Sequence, residues 1–429
     1  DGGDAYLLNG EKLWCTNGPV AEVIVVMAKT PPVVVRGKER TQVTAFIVER
    51  SMPGVEVVHR CDFMGLKGIQ NGVLRFTDVR VPKANLLWGL GQGLKLALMT
   101  LNTGRLTLPA ACVGTAKRCL QISRQWAKER KQWGSAIGQH EAIAAKLGEM
   151  AATIFAMDAM VWMVSAMADL GATDIRLEAA MAKLFCSEAT WRIADETLQI
   201  RGGRGYETAD SLRARGERPD PVERILRESR INLIIEGTSE IMRLFIAREA
   251  LDGHMRRVGP LLSPGGSVAS KLPALSKAIG YYALWWLAQG LSLLGTRRFG
   301  NLGPLASHLR FVERTCHQTA LALFHHAVKH QTRLAYRQQL LGRLVDIGAD
   351  LFAMVAVCSN AQRLSQRSPG DPHPARLADL FCRLARRRIH ERLSHLDHAD
   401  DRRAYRTAQA VLSDHYLWLE EGIVGGPDG

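Results

Sequence analysis

The sequence predicts an α+β protein, mainly α, in which a partial antiparallel β-barrel or sandwich precedes a helical bundle and a second, C-terminal helical domain. Up to about residue 88, short β-branched runs are separated by Gly, Pro, Asn and Asp turns. Beyond that point apolar residues recur at helical spacing, with one break rich in Gly, Pro and Ser. We therefore predict three domains, at residues 1–88, 89–256 and 257–429.

Composition agrees with a chain of several domains. Its 429 residues, 47% of them hydrophobic, suffice for two or three cores. The first residues read as the middle of a β domain, so we expect a further N-terminal part before residue 1. The eight cysteines include no CxxC pair, which argues against a zinc site or a disulfide framework and suits a reducing compartment.

Five strands are predicted in the first domain, because each run combines β-branched residues with flanking turn residues. They are Tyr6–Leu8, Val23–Ala28, Val43–Val48, Val55–Val58 and Val73–Phe76.

Long helices are predicted from Gly93 to about Arg256, where alanine and methionine are plentiful and strand formers do not alternate. The stretch Gly259–Ser267 reads as a linker. Residues 268–429 are again predicted to be helical.

The positive charge is concentrated in the C-terminal part. From Leu251 onward there are 23 Lys and Arg against 14 Asp and Glu, within a net charge of +14 for the chain. Such a surface indicates either an acidic partner, a membrane surface or nucleic acid, or a solvated helical face rich in Arg. No nucleic-acid-binding motif accompanies the charge, so we expect no nucleic-acid partner.

One apolar segment in this part, Ala278–Leu294, contains paired tyrosines and paired tryptophans. Lys277 precedes it, and Arg297 and Arg298 follow it. Its length lies at the lower limit for crossing a bilayer. Aromatic residues flanked by cations suit an interfacial membrane anchor over residues 277–298, whereas a helix packed beneath the bundle would show the same composition.

The candidate catalytic residue is Glu236. It follows the apolar run Ile231–Ile235 and precedes Gly-Thr-Ser, a typical helix start. A carboxylate at that junction lies beside an apolar wall, and burial raises the pKa of a Glu, as a base that removes a carbon-bound proton requires. The backbone N–H groups that follow are suited to binding a pyrophosphate. An ordinary residue at a helix boundary would show the same local pattern.

Five motifs, in order along about 230 residues, resemble those of the acyl-CoA dehydrogenase family. They are Trp14-Cys-Thr-Asn-Gly18, the pair Met64-Gly-Leu-Lys-Gly68 and Phe76-Thr-Asp-Val-Arg-Val-Pro82, Arg130-Lys-Gln-Trp-Gly134, Gln199-Ile-Arg-Gly-Gly-Arg-Gly-Tyr206 and Glu236-Gly-Thr-Ser239. Each is weak alone, but five in the right order are not expected by chance.

The C-terminal part, including Leu341–Met354, is similar to the extension of very-long-chain members, so the resemblance covers almost all of the chain. The family's N-terminal helical domain and its T-E-P-x-x-G-S-D segment are not in the sequence.

The resemblance implies an FAD enzyme that needs no metal. Glu236 would be the catalytic base. The residues implied in FAD binding are Trp14, Thr16, Arg130, Gln132, Trp133, His140, Gln199, Gly202, Gly203, Thr238 and Glu240. Those implied in substrate binding are Asn102, Arg105 and Gly237. A buried ion pair is an equally good interpretation of Arg105. Some family members carry the base at the position of Gly104, which has no side chain here, so Glu236 is left.

The implied reaction is α,β-dehydrogenation of a long or very-long-chain fatty acyl-CoA to the trans-2-enoyl-CoA in fatty acid β-oxidation. The implied partners are an electron-transfer flavoprotein and a second subunit in a homodimer, with Arg130 and the Gln199–Gly205 loop reaching FAD across the interface. The expected location is cytoplasmic or on the inner membrane if the protein is bacterial, and the mitochondrial matrix or inner membrane if it is eukaryotic.

Two alternatives stay open: an acyl-CoA oxidase on the same scaffold, and an assembly or scaffold protein whose catalysis is secondary. Two residues depart from the family pattern: Glu141 stands where Gln is common, and Glu240 stands where Gln or Asp is frequent. A carboxylate near a pyrophosphate weakens FAD binding unless it is paired, and we expect Arg201 and Arg204 to offset this repulsion.

Overall fold

The computed structural model describes residues 3–35, 37–171, 174–262, 268–294 and 299–423. The chain divides into two compact units, with the boundary between Ser239 and Glu240. The first unit contains all of the described strands and the first six α-helices. The second unit contains helices alone among its described elements. The predicted division into three domains stays a prediction.

The first part of unit 1 consists of two small antiparallel sheets, with strand orders β1-β5-β4 and β2-β3-β6. The strands are β1 Ala5–Thr16, β2 Val23–Val35, β3 Lys38–Glu49, β4 Val55–Arg60, β5 Asn71–Pro82 and β6 Leu86–Leu87. Phe46 and Val48 pack with Leu74 and Phe76 in a shared buried cluster. All five predicted runs lie within β1–β5, and the predicted mainly helical α+β class is confirmed.

The bundle of unit 1 is built from three long helices and three shorter ones. They are α1 Gly93–Glu129, α2 Glu141–Leu170, α3 Arg176–Arg201, α4 Gly203–Tyr206, α5 Ala209–Ala214 and α6 Val222–Arg230. A short hairpin, β7 Lys131–Gln132 with β8 Ser135–Ala136, joins α1 to α2. Cys112 of α1, Met157 of α2 and Ile193 of α3 belong to one buried cluster, because apolar residues recur every three or four positions on each helix.

The sheets fix where α1 begins. Gly93 lies so close to the backbone of Thr44 and Ala45 that an added Cβ would stand 2.7 Å from the carbonyl carbon of Thr44. The N–H of Gly91 donates to the Thr44 hydroxyl at 3.0 Å. A side chain at position 93 would push the helix away from the strand, so this contact sets the position of the residues that follow on α1.

Helix α2 is long and apolar enough to cross a bilayer, the one helix of which this is true in the described part of the chain. Its buried residues, including Met150, Met157 and Met160, share a core with α1 and α3. A core helix of a bundle has the same length and composition, so these features fit burial.

Helix α7 spans Ser239–Leu262, and all of it except Ser239 belongs to unit 2. The other helices of unit 2 are α8 Val268–Leu294, α9 Ala306–His330, α10 Gln338–Arg367, α11 His373–Ser394 and α12 Ala399–Leu412. Residues 259–262 belong to α7, so the linker prediction is wrong for them. Residues 263–267 lie outside the described part.

Ion pairs join two helices of unit 2. Asp350, buried on α10, accepts hydrogen bonds from Arg388 at 2.6 Å and Arg392 at 2.8 Å on α11.

The apolar segment predicted as anchor or core forms the larger part of α8. Tyr282 and Trp285 pack against Phe324, with ring centroids 5.0 and 5.3 Å apart. Trp286, next in the chain, is 50% exposed, and Leu284 and Leu287 are also exposed. The ring of Trp286 also meets Phe324 edge-on, with centroids 5.9 Å apart, so the helix packs its aromatic residues there and leaves Leu284 and Leu287 exposed. Arg297 and Arg298 lie outside the described residues.

Candidate active site

Glu236 lies in a sharp turn between two helices of the chain. Helix α6 ends at Arg230, one 3-10 turn covers Ile231–Leu233, and α7 begins at Ser239. Both Glu236 and Gly237 have left-handed backbones, with φ of 59° and 104°. A positive φ is uncommon for Glu, so the fold holds this residue in a conformation that its own preferences do not favour.

The carboxylate of Glu236 packs directly against Gly104 of α1. A Cβ built on Gly104 would overlap both carboxylate oxygens and would stand 2.5 Å from Cδ. The absence of a side chain at position 104 is therefore a requirement of this packing. Arg105, the next residue on α1, is 7% exposed and acts on the charge of Glu236.

The electrostatics of the site favour a carboxyl group with a raised proton affinity. Burial raises the pKa of Glu236 above its usual value, while the positive charges of Arg105 and Lys183 oppose that rise. The buried Oε2 atom has no hydrogen-bond partner within the described protein. An oxygen that is buried and unpartnered in this way is suited to accept a proton from a bound molecule.

Lys183 is a site residue that the sequence analysis missed. It lies on α3, its side chain is 0% exposed, and its ammonium donates to the carbonyl oxygen of Gly237 at 2.7 Å. Burial lowers the pKa of Lys183 to about 8. A signal was present in the sequence, because a lysine stands alone in the apolar run Ala179–Phe185, where charge is rarely tolerated without a partner.

A second group of predicted residues lies at the end of β1. Trp14 has a left-handed backbone, with φ of 56°, and its side chain is 66% exposed. The Thr16 hydroxyl donates to the side-chain oxygen of Asn71 on β5 at 2.8 Å. The strand pairing thus fixes Thr16 and leaves the Trp14 ring on the surface.

A third group surrounds the β7–β8 hairpin. Arg130 ends α1 and is exposed. Trp133 at the tip has φ of 47° and is 91% exposed. Its ring contacts that of His140 at 5.6 Å, and the Nε2 atom of His140 lies 3.1 Å from the carbonyl oxygen of Gln132. The sequence therefore folds four of the predicted residues into one exposed surface.

A fourth group is the glycine loop after α3. Gln199 is exposed, and Gly202 has a left-handed backbone with φ of 62°. No heavy atom of the described protein lies within 4 Å of where a Cβ would stand on Gly202 or Gly203. The backbone at this loop is consequently open to close approach from outside.

The two arginines of this loop pair with carboxylates of the bundle. Arg201 is buried, faces Asp220 at 3.4 Å and lies over the ring of Trp126. Arg204 donates to Glu217 at 2.7 Å. Both guanidinium groups thus pair with carboxylates within the bundle, and their role in offsetting the charge of Glu141 or Glu240 stays a prediction.

The structure brings only some of the predicted residues together. Gly237 and Arg105 lie around Glu236, and Thr238 follows in the same turn. The three surface groups just described are each held by their own local contacts. Glu240 occupies the first turn of α7 and belongs to unit 2. Asn102 lies on α1, and its side chain is outside the described part of the structure.

Comparison with protein families identifies the class of protein that carries this site. Residues 1–79 match the model "Acyl-CoA dehydrogenase, middle domain", and residues 91–251 match "Acyl-CoA dehydrogenase, C-terminal domain". The chain belongs to the acyl-CoA dehydrogenase family. Residues 304–416 match a third model, "ACAD9/ACADV, C-terminal domain", as expected from the similarity to very-long-chain members.

Individual relatives agree with this classification. The probable acyl-CoA dehydrogenase FadE10 of Mycobacterium tuberculosis is 49% identical over 100% of this chain and 66% of its own length. The mitochondrial very long-chain specific acyl-CoA dehydrogenase of Homo sapiens is 36% identical over 92% of this chain and 59% of its own length. A crystal structure of an acyl-CoA dehydrogenase complexed with FAD from Bacillus anthracis has a TM-score of 0.72 and 28% identity, covering 95% of this chain and 66% of that chain. The chain thus spans somewhat less than two thirds of these relatives.

Proposed function

We propose that the full-length protein containing this chain is an FAD-dependent acyl-CoA dehydrogenase that oxidises long or very-long-chain acyl-CoA thioesters to trans-2-enoyl-CoA in fatty acid β-oxidation. One observation supports the proposal above the others. The carboxylate of Glu236 is half-buried against Gly104, its Oε2 atom has no protein partner, and its pKa is raised. These are the properties of a general base.

The predicted cofactor residues fit a large planar group with a pyrophosphate. Two exposed tryptophans, Trp14 and Trp133, offer ring surfaces. The glycine pair Gly202–Gly203 offers a backbone that no side chain covers. When bound, FAD would supply the acceptor for the hydride that leaves Cβ of the substrate.

Within the reaction, the protein residues move a proton and stabilise charge. The carboxylate of Glu236 accepts the α-proton of the thioester, and the negative charge that develops on the thioester carbonyl is stabilised by hydrogen bonds, one of them from the backbone N–H of Glu236. Arg105 and Lys183 keep part of the Glu236 population ionised despite burial. Because the pKa is raised, we expect the base to lose activity as pH falls through a value above the usual 4.5 of Glu.

The remaining expectations follow the family resemblance and belong to the same proposal. The electrons leave to an electron-transfer flavoprotein. Two subunits form a homodimer, in which Arg130 and the Gln199–Gly205 loop complete the partner's cofactor site. The chain contributes the domains 1–88, 89–256 and 257–429. The exposed side of α8 contacts the membrane surface, at the cytoplasmic or mitochondrial location that the relatives suggest.

The test is an anaerobic titration of the yellow, full-length protein with acyl-CoAs from short to very long. The proposal predicts that long-chain substrates bleach the flavin absorbance and that an electron-transfer flavoprotein restores it. Hydrogen peroxide production in air, at a rate comparable with bleaching, would indicate the oxidase instead. A flavin that no acyl-CoA bleaches would indicate the scaffold protein and refute catalysis.

A further inference from the structure

Lys183 is a buried cation in the bundle, and its contact with the backbone of the catalytic turn has no part in the reaction described above. Its neighbours on α3 include the fully or almost fully buried Ala180 and Ala182, and its own side chain is 0% exposed. Burying an ammonium group is unfavourable, and an apolar side chain of similar size would fill the same space at a lower cost. A buried ammonium group that destabilises the fold is expected to have a role in the site that it contacts.

The contact that Lys183 makes is with the backbone of the catalytic turn. Its ammonium donates to the Gly237 carbonyl oxygen at 2.7 Å. Because a trans peptide is planar, fixing that carbonyl also directs the N–H of Thr238 to the opposite side. Glu236 and Gly237 both have positive φ, so the turn needs an external contact to hold it. Lys183 provides that contact from α3.

The charged and titratable groups that face Lys183 and Glu236 come from three parts of the chain. Arg105 and the Cys112 thiol face Lys183 from α1, Glu188 acts on it from α3, and Glu236 acts on it from the turn. Glu236 itself faces Arg105 and Lys183. Arg105 remains charged at any pH of interest, so Lys183 is the second of the two cations that favour the ionised form of Glu236.

We propose that Lys183 is a positioning residue for the base: its hydrogen bond to Gly237 holds the left-handed turn that places the Glu236 carboxylate against Gly104, and its charge favours the ionised carboxylate. The expected effects on kcat and on the pH profile rest on the proposed function. The expected effect on the position of the Glu236 carboxylate does not depend on it. Lys183 touches the backbone beside the base and acts on catalysis only through Glu236.

Three substitutions separate the two roles. Lys183→Met removes the donor and the charge, Lys183→Gln keeps a donor without the charge, and Lys183→Arg keeps both. The control is Lys117→Met, because Lys117 pairs with Asp158 at 2.8 Å on the exposed surface of the same bundle. Each full-length, FAD-loaded variant is measured for its melting temperature, the pH profile of kcat/KM and the isotope effect with an α-deuterated acyl-CoA.

For Lys183→Met we expect kcat to fall by about tenfold to a hundredfold, as for a displaced base, with KM within about threefold. The acid limb of the pH profile should move up by about one unit, since an opposite charge has been lost. The isotope effect should rise, because proton removal becomes slower. Lys183→Gln should show the shifted limb with a smaller loss of kcat, and Lys183→Arg should keep the limb of the unsubstituted protein.

The inference is overturned if Lys183→Met keeps its kcat and its acid limb, or if all three variants fail to fold while Lys117→Met folds, since Lys183 would then be structural. A crystal structure of Lys183→Met gives a readout that needs no activity: the Glu236 carboxylate should have left Gly104, and an unchanged position contradicts the positioning role. A flavin that acyl-CoA does not bleach in the unsubstituted protein refutes the proposed function instead, and leaves this structural outcome to decide the role of Lys183.

Discussion

The contact between Gly104 and Glu236 leads to a prediction that the structure makes quantitative. Gly104→Ala places a methyl group where both carboxylate oxygens of Glu236 now lie, with Cδ only 2.5 Å away. Ordinary contact between carbon atoms requires about 3.5–4.0 Å, so the carboxylate must move by about 1 Å or more. A displacement of about 1 Å at a reacting group costs about a hundredfold in rate. We therefore expect kcat to fall about a hundredfold.

Stability should respond differently from activity. Position 104 lies inside α1, where Ala is favoured over Gly by about 1 kcal/mol, and this gain offsets part of the strain from the methyl group. The matched control is Gly114→Ala on the same helix, because no heavy atom of the described protein lies within 4 Å of its added Cβ. The control should be stabilised by about 1 kcal/mol and keep full activity.

The assay measures reduction of a dye acceptor by long-chain acyl-CoA, alongside urea unfolding, for the full-length protein and both variants. The reasoning predicts a folded, yellow Gly104→Ala protein with little activity. It is refuted if Gly104→Ala keeps more than half of the activity, since the carboxylate would then have room that the geometry denies.

Two further predictions concern the surfaces. Arg130→Ala in the full-length protein should lose its yellow colour and weaken the oligomer, whereas Arg124→Ala on the same helix should keep both; absorbance and sedimentation measure this, and a fully flavinated Arg130→Ala monomer would contradict it. Trp286→Ser should release the protein from anionic liposomes and lower its melting temperature less than Trp285→Ser does, because Trp286 is half-exposed and its ring meets Phe324 edge-on at 5.9 Å. Trp285→Ser should lower the melting temperature, because its ring packs against Phe324. Salt should weaken but not abolish liposome binding by the unsubstituted protein, and equal binding by the Trp286→Ser variant would rule out that face as an anchor.

The strands and the long helices were predictable from sequence because their apolar periods of two and about 3.6 residues are local properties. The helical state of residues 259–262 was not predictable, because their Gly-Pro start is typical of a linker although they belong to α7. Residues 278–294 could be assigned neither to core nor to surface from composition, because α8 presents one face to Phe324 and the other to solvent. Periodicity reveals that a helix has two faces but gives no partner for either.

The candidate site also depends on tertiary contacts that sequence patterns do not reveal. Glu236 was found from its motif, and its packing against Gly104 agrees with the absence of a side chain there. Lys183 was missed, because its importance depends on a hydrogen bond to a carbonyl 54 positions away in the chain. The pairing of Arg201 with Asp220 could not be predicted, because folding brings Asp220 to it. Contacts between residues that are distant in the chain could not be predicted from a single sequence.

The central claim is that Glu236 removes the α-proton, and the most direct measurement is the rate of flavin reduction in full-length Glu236→Gln under anaerobic conditions. Gln keeps the size of the side chain but has no basic carboxylate. The account predicts a protein with full FAD content and a melting temperature close to that of the unsubstituted protein, in which acyl-CoA reduces the flavin at least about 10³-fold more slowly, in line with loss of a general base. If Glu236→Gln retains more than a tenth of the rate, the base is another residue.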